Sequence, residues 1–294
     1  MWRVARVGIG LLLLVGGLAA CDAPGTAAAP PDSAANATQG PGEATTTTSG
    51  TTTTAESTTS PSTDIPFTDI DVSEEAPPFE EVSFTTADDM TLRGRLWRGS
   101  DIAVLVAHDF GNTTAGAAGQ RAEQSGETVL WLSGALARQG YTVLSPDYRG
   151  HGLSDGDIDK RAGSTDMTAA YTWLLEQGAR EVVVLGWVGS GTVAAHLDAT
   201  DDAVDFAGII LAFSPPQEIG HDAQSVIGDL ATPVFAVGIN TGTTARFAKL
   251  LSNAAGNSLG YHVFDAVPNG LTFRDVFSGE LAGRIVAFIE TVTT

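Results

Sequence analysis

The chain has one cysteine, Cys21, so no internal disulfide can form. It is poor in positive charge, with 15 Lys and Arg against 35 Asp and Glu and a formal net charge of −20. No Lys or Arg occurs between Arg6 and Arg93. Such a surface repels phosphate backbones and anionic headgroups, which excludes a nucleic-acid-binding role. After the first twenty residues no apolar run is long enough to span a bilayer. No grouping of His, Cys and carboxylates has metal-ligand spacing, and no cofactor is expected.

What is present is ordered along the chain. Arg3 and Arg6 precede an apolar stretch from Val7 to Leu18, followed by Leu18-Ala19-Ala20-Cys21. A short basic region, a short apolar region and a small-residue site make an export signal over residues 1–20. The last four residues resemble a bacterial lipobox, which implies cleavage before Cys21, which then receives lipid. The alternative is an ordinary signal peptide with an incidental cysteine. The lipid reading puts the protein on the outer face of the cytoplasmic membrane, held there through Cys21. Residues 21–78 contain the runs Thr45–Thr48 and Thr51–Thr54 among Ala, Pro, Gly and Ser. They offer too little apolar surface to offset ordering entropy, so a disordered stalk is expected there. The sequons at Asn36 and Asn112 are read as chance.

The folded domain is expected over residues 79–294. Glu80–Thr86 and Thr91–Trp97 alternate as two strands of a hairpin. Ile102–Ala107, Tyr141–Ser145, Glu181–Trp187, Phe206–Phe213, Pro233–Ile239 and Tyr261–Val267 are short apolar runs of buried-strand type. Helical stretches lie between them, at Thr128–Gln139, Asp166–Gln177, Gly191–Ala199, Thr244–Ala255 and Gly279–Thr291. This alternation predicts an α/β fold, a mostly parallel sheet with helices on both faces and an antiparallel hairpin at its start. The connections are too short for a large cap.

Three stretches carry a family resemblance: His108-Asp109-Phe110-Gly111 after the third strand, Asp147-Tyr148-Arg149-Gly150-His151-Gly152-Leu153-Ser154 after the fourth, and Gly186-Trp187-Val188-Gly189-Ser190-Gly191-Thr192 between strand and helix. Together they resemble the α/β-hydrolase superfamily, in a compact form similar to its dienelactone-hydrolase-like and serine-aminopeptidase-like members. The resemblance implies an oxyanion hole around His108, Asp109, Phe110 and Gly189, a structural role for Asp147, and a nucleophile on the elbow. In that register the nucleophile position is Val188, which has no heteroatom. The acid position falls in Asn240-Thr241-Gly242, and no carboxylate occurs between Asp229 and Asp265. The histidine position falls on Asn269, and His262 is the last histidine of the chain, expected at the start of its strand. Ser190 is the fallback nucleophile, but β-branched Val188 and Thr192 then stand where the motif has glycines.

Two function classes follow. One is a non-catalytic lipoprotein whose old cleft, lined by His108, Phe110, Val188, Asn240 and Asn269, binds a small molecule or an envelope protein, or is filled in. The other is an active esterase- or peptidase-type serine hydrolase using Ser190 or an unanticipated triad. His108 is open to a binding or a structural role, while His151 and His196 are read as structural. Because a β-branched residue is strained at positive φ, the elbow is expected to have relaxed into an ordinary loop. A dinucleotide site over Gly189–Ala194 is weighed and set aside, since no acidic residue ends the following strand.

Overall fold

The computed structural model describes residues 65–73, 75–110 and 127–294. The export signal, Cys21, most of the expected stalk, Gly111 and both sequons lie outside the described residues.

Strands β1 (Glu80–Thr85), β2 (Thr91–Trp97), β3 (Ile102–Ala107), β4 (Thr142–Asp147), β5 (Glu181–Trp187), β6 (Gly208–Ala212), β9 (Val234–Ile239) and β10 (Ser258–Phe264) form one eight-stranded sheet. Between β6 and β9 the two-residue strands β7 (Gln217–Glu218) and β8 (His221–Asp222) pair with each other. The order is β1-β2-β4-β3-β5-β6-β9-β10. The β1–β2 and β2–β4 pairs are antiparallel, and all others are parallel. The expected fold class holds in detail. The central strands are apolar at every position because both faces are covered. Ala103, Leu105, Val184 and Leu211 point into one core, with α2 (Gly163–Glu176), α3 (Gly189–Thr200) and α5 (Thr244–Ala254). Val104, Val106, Val183 and Ile210 point into the other, with α1 (Glu127–Arg138) and α6 (Phe273–Val292). A four-residue helix, α4 (Ala223–Val226), follows β8.

The order of strands fixes where a site can form. From β3 the chain crosses to α1 on one face, and from β5 it crosses to α3 on the other. The carboxyl ends of β3 and β5 are therefore the switch point of the sheet, the place where α/β proteins put their sites.

Three sequence expectations shift. Among the described residues, packing extends upstream of the expected Phe79, through residues as early as Ile65. Ile65, Ile70 and Val72 pack against the α1–α6 core, and Ile70 N donates to Gly279 O at 3.1 Å. Arg138 donates from its guanidinium to the carbonyls of Asp71 and Glu75, Trp97 Nε1 donates to Pro77 O at 2.8 Å, and the Arg284 guanidinium sits 4.0 Å over the Phe67 ring. This strap is held mainly through its own carbonyls, so its side chains carry no period. Helix α6 begins at Phe273 rather than Gly279, because Thr272 and Asp275 form a reciprocal capping box. Strand β10 ends at Phe264, so His262 stands near its carboxyl end, where Nε2 lies 3.2 Å from Glu280. Among the described residues no helix is long and apolar enough to cross a membrane.

Candidate active site

The strand–turn–helix junction at β5–α3 is tight because two glycines face each other: a Cβ on Gly186 would strike the backbone of Gly191. That close approach fixes the register. Val188 lies at the apex with φ 52° and ψ −116°, and its N–H donates to Ala212 O at 2.8 Å. The expected relaxation of this turn is therefore wrong. The β-branched residue is held in the left-handed half of the map, at a cost of about 1–3 kcal/mol. The sheet edge and the glycine contact over-determine the turn, so the strain persists.

Ser190, the second residue of α3, is fully buried, and its hydroxyl donates to His108 O at 2.5 Å. No imidazole hydrogen-bonds it among the described residues. His108 is buried as well. Its Nδ1 donates to Asp109 O at 2.6 Å and its Nε2 accepts from Tyr148 N at 3.2 Å. A backbone N–H can only donate, so Nε2 carries no proton and the ring is neutral. Burial, reinforced by the neighbouring His151, pushes its pKa down to about 3. Phe110 is likewise buried, stacked on Tyr148 at 4.6 Å. His108 and Phe110 are both buried, as the filled-in form of the cleft would have them, and both pack beside the elbow.

The amide that follows the nucleophile position has an internal partner. Gly189 N donates to Asp109 Oδ1 at 3.3 Å. Glu218 crowds the same turn: a Cβ on Gly189 would come within 2.8 Å of its Oε2. Glu218 Oε1 in turn lies 3.4 Å from Lys160 Nζ. Two carboxylates thus sit at the amino end of α3, where the helix dipole favours negative charge. The sequence suggested Asp109 but gave no sign of Glu218 or Lys160, because strand β7 and the segment before α2 carry no periodic signal.

On the other side of the elbow, Trp187 meets Phe213 at 5.0 Å, and Phe213 meets Phe273 at 5.3 Å, both edge to face. Phe213 also has positive φ, at 60°. Thr241 and Asn269 lie on exposed loops after β9 and β10, and neither side chain is hydrogen-bonded among the described residues. Asn240 is exposed too, tied to the sheet by its own N–H donating to Phe264 O.

In the loop after β4, Asp147, Arg149, His151 and Ser154 are hydrogen-bonded, while the buried Tyr148 hydroxyl has no hydrogen-bond partner among the described residues. Ser154 Oγ donates to Asp147 O at 2.6 Å and accepts from Arg93 N at 2.8 Å. The Arg149 guanidinium grips Asp88 through both nitrogens at 2.7 and 3.0 Å, and Asp166 at 2.6 and 2.9 Å. His151 places its ring nitrogens 3.1 Å from Arg149 O and 3.2 Å from Phe110 O. His196 lies on α3, its Nδ1 accepting weakly from Asp222 N at 3.4 Å.

Comparison with known proteins agrees with this geometry. An esterase from Pyrococcus furiosus superposes with a TM-score of 0.55 at 18% identity, covering 75% of this chain and 93% of that one. An esterase from Exiguobacterium antarcticum gives 0.55 at 13% identity, with 72% and 100% covered. An alpha-beta serine hydrolase homologue from Coxiella burnetii gives 0.53 at 16% identity, with 74% and 98% covered. A thiohydrolase, aneE, from Aspergillus aculeatus is 29% identical over 128 residues, which span 41% of this chain but only 36% of that protein. The sequence model of the X-Pro dipeptidyl-peptidase (S15) family matches residues 47–206, more than half of the chain, through the elbow and up to the start of β6. On the α/β-hydrolase fold that its sheet order and elbow define, the chain belongs to the X-Pro dipeptidyl-peptidase (S15) family.

Proposed function

We propose that this protein is an exported lipoprotein, acylated at Cys21, whose α/β-hydrolase domain binds a ligand or envelope partner and does not hydrolyse. The observation that carries the reading is Val188 at the apex of an elbow that keeps its positive φ. Acyl transfer needs an oxygen or sulfur nucleophile, a proton acceptor beside it and free donors for the developing oxyanion. A valine offers no nucleophile. The Gly189 N–H already donates to Asp109, and with Glu218 beside it a developing oxyanion would meet two carboxylates. The loops after β9 and β10 bring Thr241 and Asn269, neither of which exchanges a proton near neutral pH. Burial of Ser190 and its bond to His108 O weigh against the fallback nucleophile.

The test is turnover by the purified full chain on an X-Pro dipeptide chromogenic amide, a short-chain ester and a thioester, beside Ser190→Ala. The expected result is no turnover above background in either protein and no labelling by a fluorophosphonate. Turnover lost in Ser190→Ala would make the protein a serine hydrolase. Anchoring is checked separately: Cys21→Ser should move the protein from the membrane fraction into the medium, and retention would remove the lipid from the reading.

A further inference from the structure

Away from the elbow, a groove of about 810 Å³ runs between the β1–β2 hairpin and the outer sides of α2 and α3. Its wall includes the paired rings of Phe84 and Trp173, 5.6 Å apart and 27° from parallel, with Trp173 half-exposed. The groove is also lined by four hydroxyls of α2, the helix that carries Trp173: Ser164, Thr165, Thr168 and Thr172. Threonines on other helices satisfy themselves by donating back to the preceding turn, as Thr200 does to His196 O and Thr291 to Ala287 O. The α2 hydroxyls do not; among the described residues none of the four has a hydrogen-bond partner. Glu176 and Asp201 also line the groove, and no Lys or Arg does.

We propose that this groove is a binding site for a neutral saccharide. The assignment follows from what each wall tolerates. An anionic ligand would face Glu176 and Asp201 on a chain of net charge −20, with the His196 imidazole and no Lys or Arg among the described lining residues to meet it. A wholly apolar ligand would take three half-buried hydroxyls out of water with nothing to bond them. A sugar ring satisfies both surfaces. Its C–H face lies flat on Trp173, and its hydroxyls exchange hydrogen bonds with the α2 row and donate to the carboxylates, which accept more strongly than neutral oxygens. The volume lies within the range usual for small-ligand sites. The proposal stands apart from the silent elbow: the α3 residues of the groove, His196 to Asp201, lie about 10–18 Å along the helix axis from Gly189.

The experiment is calorimetric titration of the full chain with cellotriose, with the N-acetylglucosamine trimer and, as a cationic counter-probe, with choline. Saturable binding of at least one sugar is expected, with a dissociation constant between about 10 μM and 1 mM. Trp173→Ala should weaken it by about tenfold or more, and Trp173→Phe, which keeps an aromatic face, by much less. Thr168→Val, which keeps shape and removes one hydroxyl, should weaken it several-fold without changing thermal stability. No saturable binding of either sugar would overturn the proposal, as would binding of choline alone, or sugar binding indifferent to Trp173→Ala. Ester turnover by the same preparation would overturn the non-catalytic reading and leave this one intact.

Discussion

Two loops of this domain follow the pattern of active relatives, and they have been treated differently. In the loop after β4 every polar group of the pattern is present and bonded: Asp147 to Ser154 by its carbonyl, and Arg149 to Asp88 and Asp166 by its guanidinium. At the elbow after β5 the backbone conformation is present, φ 52° at Val188, and the apex side chain is an alkyl group with nothing to bond. The first loop is structure, so losing any member leaves a buried group unpaired. The second is held in shape by its neighbours, namely the Gly186–Gly191 contact and the bond from Val188 N to Ala212 O. A turn can therefore keep its geometry whatever side chain stands at its apex, where packing maintains it.

The comparison is broken most forcefully at Asp166. Its side chain is fully buried, and burial pushes its carboxyl above the usual carboxylate range despite the bonds from Arg149. Asp166→Ala strands the Arg149 guanidinium in the interior and should cost about 3–5 kcal/mol in urea unfolding. Asp88 bonds the same guanidinium from a half-exposed position, and Asp88→Ala should cost much less, about 1 kcal/mol or below. Equal losses would mean that the network is not held from its buried end.

How far the sequence disclosed this molecule divides along the same line. The strands were legible because Ile102–Ala107 and Glu181–Trp187 are apolar on both faces, which few other structures require. The elbow's register was legible from Gly186 and Gly191, and its positive φ was missed because strain was weighed at Val188 alone and not against the contacts that enforce it. The start of α6 was written in Thr272 and Asp275 and overlooked. The strap from Ile65 to Pro77 had no signal, since it binds through carbonyl oxygens. The bond from Gly189 to Asp109 joins residues 80 apart in sequence, a separation over which no spacing rule operates.

His108 joins the two loops, accepting from Tyr148 N after β4 and holding Ser190 by its carbonyl after β5. Its pKa in the fold, about 3, is below the ordinary value near 6.5, so the unfolded chain takes up a proton that the folded chain refuses. The stability it contributes is complete above about pH 6.5 and is lost as the pH falls toward about 3, with a limiting slope of about 1.4 kcal/mol per pH unit. Urea midpoints measured across that window should fall with acid, and His108→Gln should flatten the dependence while lowering stability at pH 7. An unchanged slope would show that other groups carry the acid sensitivity.

The smallest effect has the unusual sign. Val188→Gly removes a half-buried side chain, a change that ordinarily destabilises. Here the residue is held at φ 52°, where glycine is unstrained. Relief of about 1–3 kcal/mol, less about 0.5–1 kcal/mol for the greater freedom of glycine when unfolded, should leave the variant about 1 kcal/mol more stable. Val193, five residues on and fully buried in regular helix, supplies the contrast, and Val193→Ala should cost about 2 kcal/mol. Val188→Gly should also leave saccharide binding in the α2–α3 groove untouched, because nothing in that groove touches the elbow. A destabilisation of about 1 kcal/mol or more at position 188 would mean that the Val188 side chain packs well enough to outweigh its backbone strain. The elbow would then be a well-packed core turn, and no longer a strained one kept in shape by its neighbours.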